Sequence, residues 1–274
     1  MNNIVTITWL TFHEARRRKM VLAALAMGGI FLVLFNIGFG LITRSLNQAN
    51  ALQLRINYSL LLMAGLYVVH FLTVMLAIFA SVDTIAGEIA SHTIQAIVTK
   101  PVRRWQVLVG KWLGYAAMLV LYLGLLGGGL MLSVYLQVGY LAPNWLQGLL
   151  LLMLEALVLL SLSLLGGTRF STLTNGVLLF MLYGLAFIGA WVEQIGALLN
   201  SHAAVNVGIV TSLLMPVEAL WRRAAYLMQP QILSVIPSPF SGTSPPSPAM
   251  VLYAGLYAAL ALGLAVRTFR QRDL

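Results

Sequence analysis

Six apolar stretches, roughly residues 20–42, 58–82, 107–137, 146–167, 174–195 and 249–267, run along this chain with few charged residues inside them. Each is close to or above the ~20 residues that an α-helix needs to cross a hydrocarbon core. In lipid every backbone N–H and C=O must be satisfied within the protein, so segments of this kind cross as helices. The expected fold class is therefore all-α: a polytopic membrane protein with six transmembrane helices. Composition agrees, because apolar residues make up 60% of the chain, charged residues only 8%, and the mean hydropathy is +0.92. A soluble domain carries about a quarter of its residues as charges.

The net charge of +9 invites a nucleic-acid reading. The basic residues, however, cluster at the ends of the apolar runs, as topology determinants do, and no nucleic-acid partner is expected. Residues 1–19 precede the first run. Ile4, Val5, Trp9, Phe12 and Ala15 fall on one helical face with Thr6, His13 and Arg17 opposite, which predicts an amphipathic interfacial elbow helix ahead of a transmembrane domain over 20–274. The basic run Arg16 to Lys19 resembles the start of a signal peptide, but the 23-residue run from Met20 to Ile42 is longer than a signal h-region and reads as an uncleaved span.

Placing both termini in the cytoplasm leaves 12 of the 16 Lys and Arg inside: Arg16, Arg17, Arg18, Lys19, Lys100, Arg103, Arg104, Lys111, Arg169, Arg267, Arg270 and Arg272. Only Arg44, Arg55, Arg222 and Arg223 lie outside, and the opposite orientation reverses that bias. A seventh span from about Gly196 to Met215 would move Arg267, Arg270 and Arg272 outside, so 196–248 is expected to be an extracytoplasmic segment. Within it we expect a re-entrant or surface piece at 203–215 and an amphipathic helix from Pro216 to Met228. An extended linker follows over the proline-rich Pro237 to Pro248.

Small residues mark candidate packing faces: Gly110, Gly114 and Ala117; Gly124 and Gly128; and Gly255, Ala259 and Gly263. His70 and Glu155 lie near the middle of the second and fourth runs, where an ionisable group must face the bundle interior or a wet cavity. They read either as a polar contact in a translocation path or as helix-to-helix glue, with the two expected to be close. A proton relay would need further acids or histidines along the bundle, and none is expected.

No catalytic residues are expected. Gly110-Lys111 has Trp105 where a phosphate-binding loop needs its first glycine, and HExxH and GxSxG are absent. With no cysteine there is no thiolate chemistry. Twelve methionines raise Cu(I), but they are scattered, and His202, Met215 and Met228 are the sole candidates; no metal site is expected.

The polar segment Asp83 to Lys111 stands out. Glu88 is followed by Thr93, an aliphatic run Ile94 to Val98, Lys100-Pro101, Arg103-Arg104 and Gly110-Lys111. This order resembles the first cytoplasmic loop of the ABC-2 permeases, the membrane subunits of type-2 ABC exporters. The tail Phe269 to Leu274 resembles that family's basic Arg-Asp-Leu ending. Phe170 to Asn175 looks like a turn in the permeases grouped with multicopper-enzyme maturation systems. The chain departs from the family at His92, where many members have glycine, and at Ala90, where many have a second acid.

The resemblance implies a permease subunit of the prokaryotic plasma membrane with no cofactor of its own. ATP and Mg would be bound by a separate ABC ATPase, present in two copies beside a second permease subunit, in a homodimer embedded in the bilayer. It makes 83–111 a coupling loop, with Glu88, Thr93, Ile97, Pro101, Arg103, Arg104 and Lys111 as ATPase-coupling residues. A helix from Glu88 to Val98 would turn Ile89, Thr93, Ala96 and Ile97 into a groove on the partner, with Pro101 ending it. The alternative is a mechanotransmitting subunit that relays ATPase motion to an extracytoplasmic partner while moving no substrate.

Overall fold

The computed structural model describes residues 3–45, 50–90, 103–230 and 246–271. Among the described residues every regular element is helical. In chain order they are α1 (Asn3–Arg17), α2 (Lys19–Ser45), α3 (Ala51–Ser81), α4 (Asp83–Ala90), α5 (Arg104–Leu123), a π-helical stretch (Gly124–Gly128) and α6 (Gly129–Val138). Then come α7 (Trp145–Gly167), α8 (Thr172–Leu198), α9 (His202–Leu214), α10 (Val217–Met228) and α11 (Pro248–Gln271). Six helical runs are long and apolar enough to cross a membrane: Lys19–Ser45, Ala51–Glu88, Arg104–Val138, Trp145–Gly167, Thr172–Ala197 and Pro248–Gln271. They coincide with the six expected spans, several of them longer than the apolar runs.

Local signals account for the ends. Ser171 caps α8 through its hydroxyl, which accepts from the Thr174 N–H, and Gly139 closes α6 at φ 67°, a left-handed conformation open to glycine at little cost. Pro248 stands at the first position of α11, where its missing N–H is harmless. Between α7 and α8 the Asn175 amide donates to the Ser163 carbonyl at 2.9 Å and lies against Gly166, so the Phe170–Asn175 turn is held from within.

The interior is built on α3 and α7, packed against each other and covered by α5, α8, α10 and α11. Leu66, Val69, Val158, Leu159, Leu160 and Leu164 are fully buried there. The Trp112 indole N–H donates to the Ser161 hydroxyl at 3.0 Å and ties α5 to α7. Helix α1 packs along α5 through Ile7 and Thr11, because Gly110 and Gly114 have no side chain to hold them off; a Cβ on Gly114 would meet Thr11 at 2.8 Å. Val5 and Trp9 stay exposed on the other side of α1.

Two expectations are corrected. The segment read as a loop from Asp83 begins as helix α4, since α3 continues past a single turn residue. The stripe Gly255, Ala259 and Gly263, whose packing partner the sequence leaves open between this chain and a second copy, faces away from this chain: Gly255 and Gly263 face open space, and Ala254, Ala258, Ala261 and Ala265 are buried. The amphipathic helix expected outside, Pro216 to Met228, is instead buried as α10, with Glu218, Trp221 and Arg222 inside the bundle. It meets α9 at an angle of 106°, a broken pair that folds back instead of crossing as one straight span. Opposite charges from neighbouring helices make that burial tolerable. Most of the proline-rich linker lies outside the described residues.

Candidate functional site

Two polar regions stand out. The first gathers the ends of α1, α3, α5, α8 and α11. The α4 residue Glu88 and the α5 residue Lys111 form an ion pair, with Lys111 almost wholly buried. Asp83, opening α4, stands 3.7 Å from the Arg18 guanidinium and accepts a hydrogen bond from the Thr172 hydroxyl of α8 at 3.1 Å. Arg18 also donates to Glu14 at 2.9 Å. Partial burial works against the Arg18 charge, but the neighbouring acids Glu14 and Asp83 oppose it and the guanidinium is held protonated more firmly than usual. The Arg104 side chain reaches the Arg270 carbonyl at 3.4 Å, joining α5 to the end of α11. Arg103 is exposed ahead of α5, where Gln106 accepts from its backbone N–H at 3.2 Å.

Residues 91–102, between α4 and α5, lie outside the described residues, and with them Thr93, Ile97 and Pro101. The described coupling candidates are Glu88, Arg103, Arg104 and Lys111. Of these the structure joins Glu88 to Lys111, while Arg104 turns toward α11.

The second region is in the bundle interior. His70 Nδ1 of α3 stands 3.0 Å from Glu155 Oε2 of α7, so the two are neighbours as expected. Sequence reading did not include the third member: Glu218 Oε1 of α10 lies 3.6 Å from His70 Nε2. The Trp221 indole stacks on the imidazole with centroids 4.8 Å apart, and Tyr67 meets Trp221 edge-on at 5.3 Å. All three ionisable groups are buried. Beside them Arg222 forms a buried ion pair with Glu193 of α8, at 2.8 Å from Nη1 to Oε1, and touches the Ser212 hydroxyl at 3.3 Å. Glu218, Trp221 and Arg222 occupy one helical turn, and that spacing was the available signal. It carried no weight in an amphipathic helix placed in an extracytoplasmic segment.

The copper candidates are not brought together. His202 opens α9 and Met215 follows its last residue, so the helix holds them roughly 20 Å apart. Met228 is buried against Gly148. A groove of about 350 Å³ opens between α2, α3 and α5, lined by Met20, Met27, Leu72, Met75, Phe79 and Tyr122 among others.

A family model described as an ABC-2 family transporter protein matches residues 5–274. The chain belongs to the ABC-2 transporter family. No curated protein matches it significantly. Membership makes this a multi-pass membrane protein, the permease subunit of an ABC transporter, and implies an ABC ATPase as partner. ABC-2 permeases are transport subunits, typically not catalytic themselves.

Proposed function

We propose that this permease exports a substrate across the prokaryotic plasma membrane, driven by ATP hydrolysis in a separate chain that docks on the 83–111 loop. Two ATPase subunits, carrying ATP and Mg, would face two permease copies. Both termini are cytoplasmic in this reading, α1 lies in the interface as the elbow helix of residues 1–19, and the remaining 20–274 form the transmembrane domain. The positive-inside bias supports that orientation.

The observation that carries the coupling role is the anchoring of the loop at both ends. Glu88 and Lys111 tie α4 to α5 across residues 91–102, and Asp83 bonds to the α1–α2 junction and to α8. A push on the loop would therefore be delivered to four helices at once. Thr93, Ile97, Pro101 and the exposed Arg103 are the proposed docking residues. Glu88, Arg104 and Lys111 are proposed to brace the loop's base. The groove lined by Met20, Leu72 and Phe79 suits an amphipathic or acyl-bearing cargo. Replacing Glu88 and Arg104 together by Ala should leave the permease in the membrane and reduce ATPase co-purification by roughly tenfold. An unchanged complex with substrate-dependent ATP hydrolysis refutes the coupling assignment.

A mechanotransmitting role is the second reading, favoured by the burial of α10, which links the 196–248 segment directly to α3 and α8. Substrate-stimulated ATPase activity together with flux into inverted vesicles supports export. ATP-dependent change in 196–248 without flux supports mechanotransmission.

A further inference from the structure

Helix α2 is loosely held by the rest of the chain. Only 11% of its apolar stretch is buried, against 67% for the span formed by α3 and α4. Its first turns do not close on α3 and α5, and the gap they leave is the groove of about 350 Å³. Met20 and Met27 line it from α2, and Phe79 and Leu72 from α3. Seven residues separate the members of each pair, so the groove runs about 10 Å along the helices. Its walls are apolar, and the one hydroxyl among them, on Tyr122, is spent on the Ala24 carbonyl at 3.1 Å. Water finds no partners in such a space, and an empty gap forfeits dispersion contacts on both walls. Hydrocarbon of this length and width satisfies it.

One end of the groove coincides with the α1–α2 junction. Lys19 precedes Ala23 by four residues and Met27 by eight, so it shares the groove-lining face of α2 and stands at the groove's mouth. Arg16 and Arg17, which end α1, come just before it. All three are exposed, and none has a hydrogen bond or ion pair among the described residues. The acids at this junction, Glu14 and Asp83, are both drawn to Arg18. Four cations therefore face two acids, and the mouth of an apolar groove keeps a surplus of positive charge.

We propose that the groove holds an acyl chain of an anionic phospholipid whose headgroup phosphate lies against Lys19, Arg16 and Arg17. The lipid fills the space that α2 leaves open and joins α2 to α3 and α5. Long basic side chains at a helix end extend readily to the headgroup level. The proposal names an occupant for the groove that the export reading gives to an acyl-bearing cargo. It is tested on the permease alone, without ATPase or ATP, so its failure and the failure of that reading are separate results.

The full-length permease is delipidated in detergent and offered equal amounts of dioleoyl phosphatidylglycerol and dioleoyl phosphatidylcholine, and native mass spectrometry counts what each molecule retains. One phosphatidylglycerol should be kept at least about tenfold in preference to phosphatidylcholine. Replacing Arg16, Arg17 and Lys19 together by Gln should erase the preference. Ala23→Phe fills the groove from an exposed position without altering any charge, and should lower phosphatidylglycerol retention about tenfold. Arg44→Gln with Arg55→Gln removes two exposed cations from the opposite ends of α2 and α3 and should leave the preference in place. Equal retention of the two lipids by the native chain overturns the proposal. So does a preference that survives Ala23→Phe undiminished, because surface charge alone would then collect the lipid. An equal loss in the Arg44 and Arg55 variant also overturns it, since net charge and not this junction would set the preference.

Discussion

The two polar regions use the same kinds of residue in opposite settings. At the loop-bearing end, Asp83 and Glu14 are more than half exposed, and their pairs with Arg18 stand beside water. In the interior, the side chains of His70, Glu155, Glu218 and Arg222 are each no more than 5% exposed. Water can replace a lost partner of Asp83 or Glu14 but cannot reach the interior pairs. The end can therefore be rearranged by a docking subunit at small cost, while each interior charge depends on its neighbour staying in place.

Breaking the interior should cost most. Arg222→Ala leaves Glu193 buried and unpaired, and we expect a loss of about 3–5 kcal/mol, read as a large fall in the melting temperature of the purified protein. Adding Glu193→Gln should recover part of it, since the stranded charge disappears. If the single variant melts like the native chain, the interior pair is not held as described.

Next comes Glu155. Its replacement by Leu strands His70 Nδ1 and should cost roughly 1–3 kcal/mol, whereas Gln keeps one hydrogen bond and should cost less. Equal melting temperatures for the two variants would contradict the His70–Glu155 contact as a stabilising one. Retained stability with lost transport in Glu155→Gln would instead assign the carboxylate a part in passage.

Glu88→Gln tests the border between the regions, because its partner Lys111 is buried while Glu88 is partly accessible. A loss of about 1 kcal/mol is expected, with Lys111 still donating to the amide oxygen. Asp83→Asn should have the smallest effect, within about 1 kcal/mol and further reduced by salt. A salt-independent loss as large as that of Arg222→Ala would erase the distinction between the two regions.

The six spans were legible because length and apolarity alone determine them. His70 and Glu155 were legible because an ionisable residue inside an apolar run has few places to go. Glu218 and Arg222 were not, because the alternation of charged and apolar residues in α10 is that of a helix on a surface. Only the fold-back of α9 and α10 against α7 and α8 reveals that the charged face is turned inward. Which face of α11 packs within the chain was not legible for a related reason. Alanines one position away serve the same close packing, and no local pattern separates the two faces. The helix Asp83–Ala90 was hidden by its polarity, which loops and helix ends share.

The π-helical stretch at Gly124–Gly128 makes the third span a helix with a change of phase. One surplus residue sets everything after it back by about 100° relative to an unbroken α-helix. The half before it faces α1 through Gly110 and Gly114, and the half after it buries Leu130 and Val134 beside α2 and α3. Removing Gly127 would yield a regular helix whose second half points the wrong way. The aim of that half is therefore written in the residue count, and a substitution that preserves length cannot reset it.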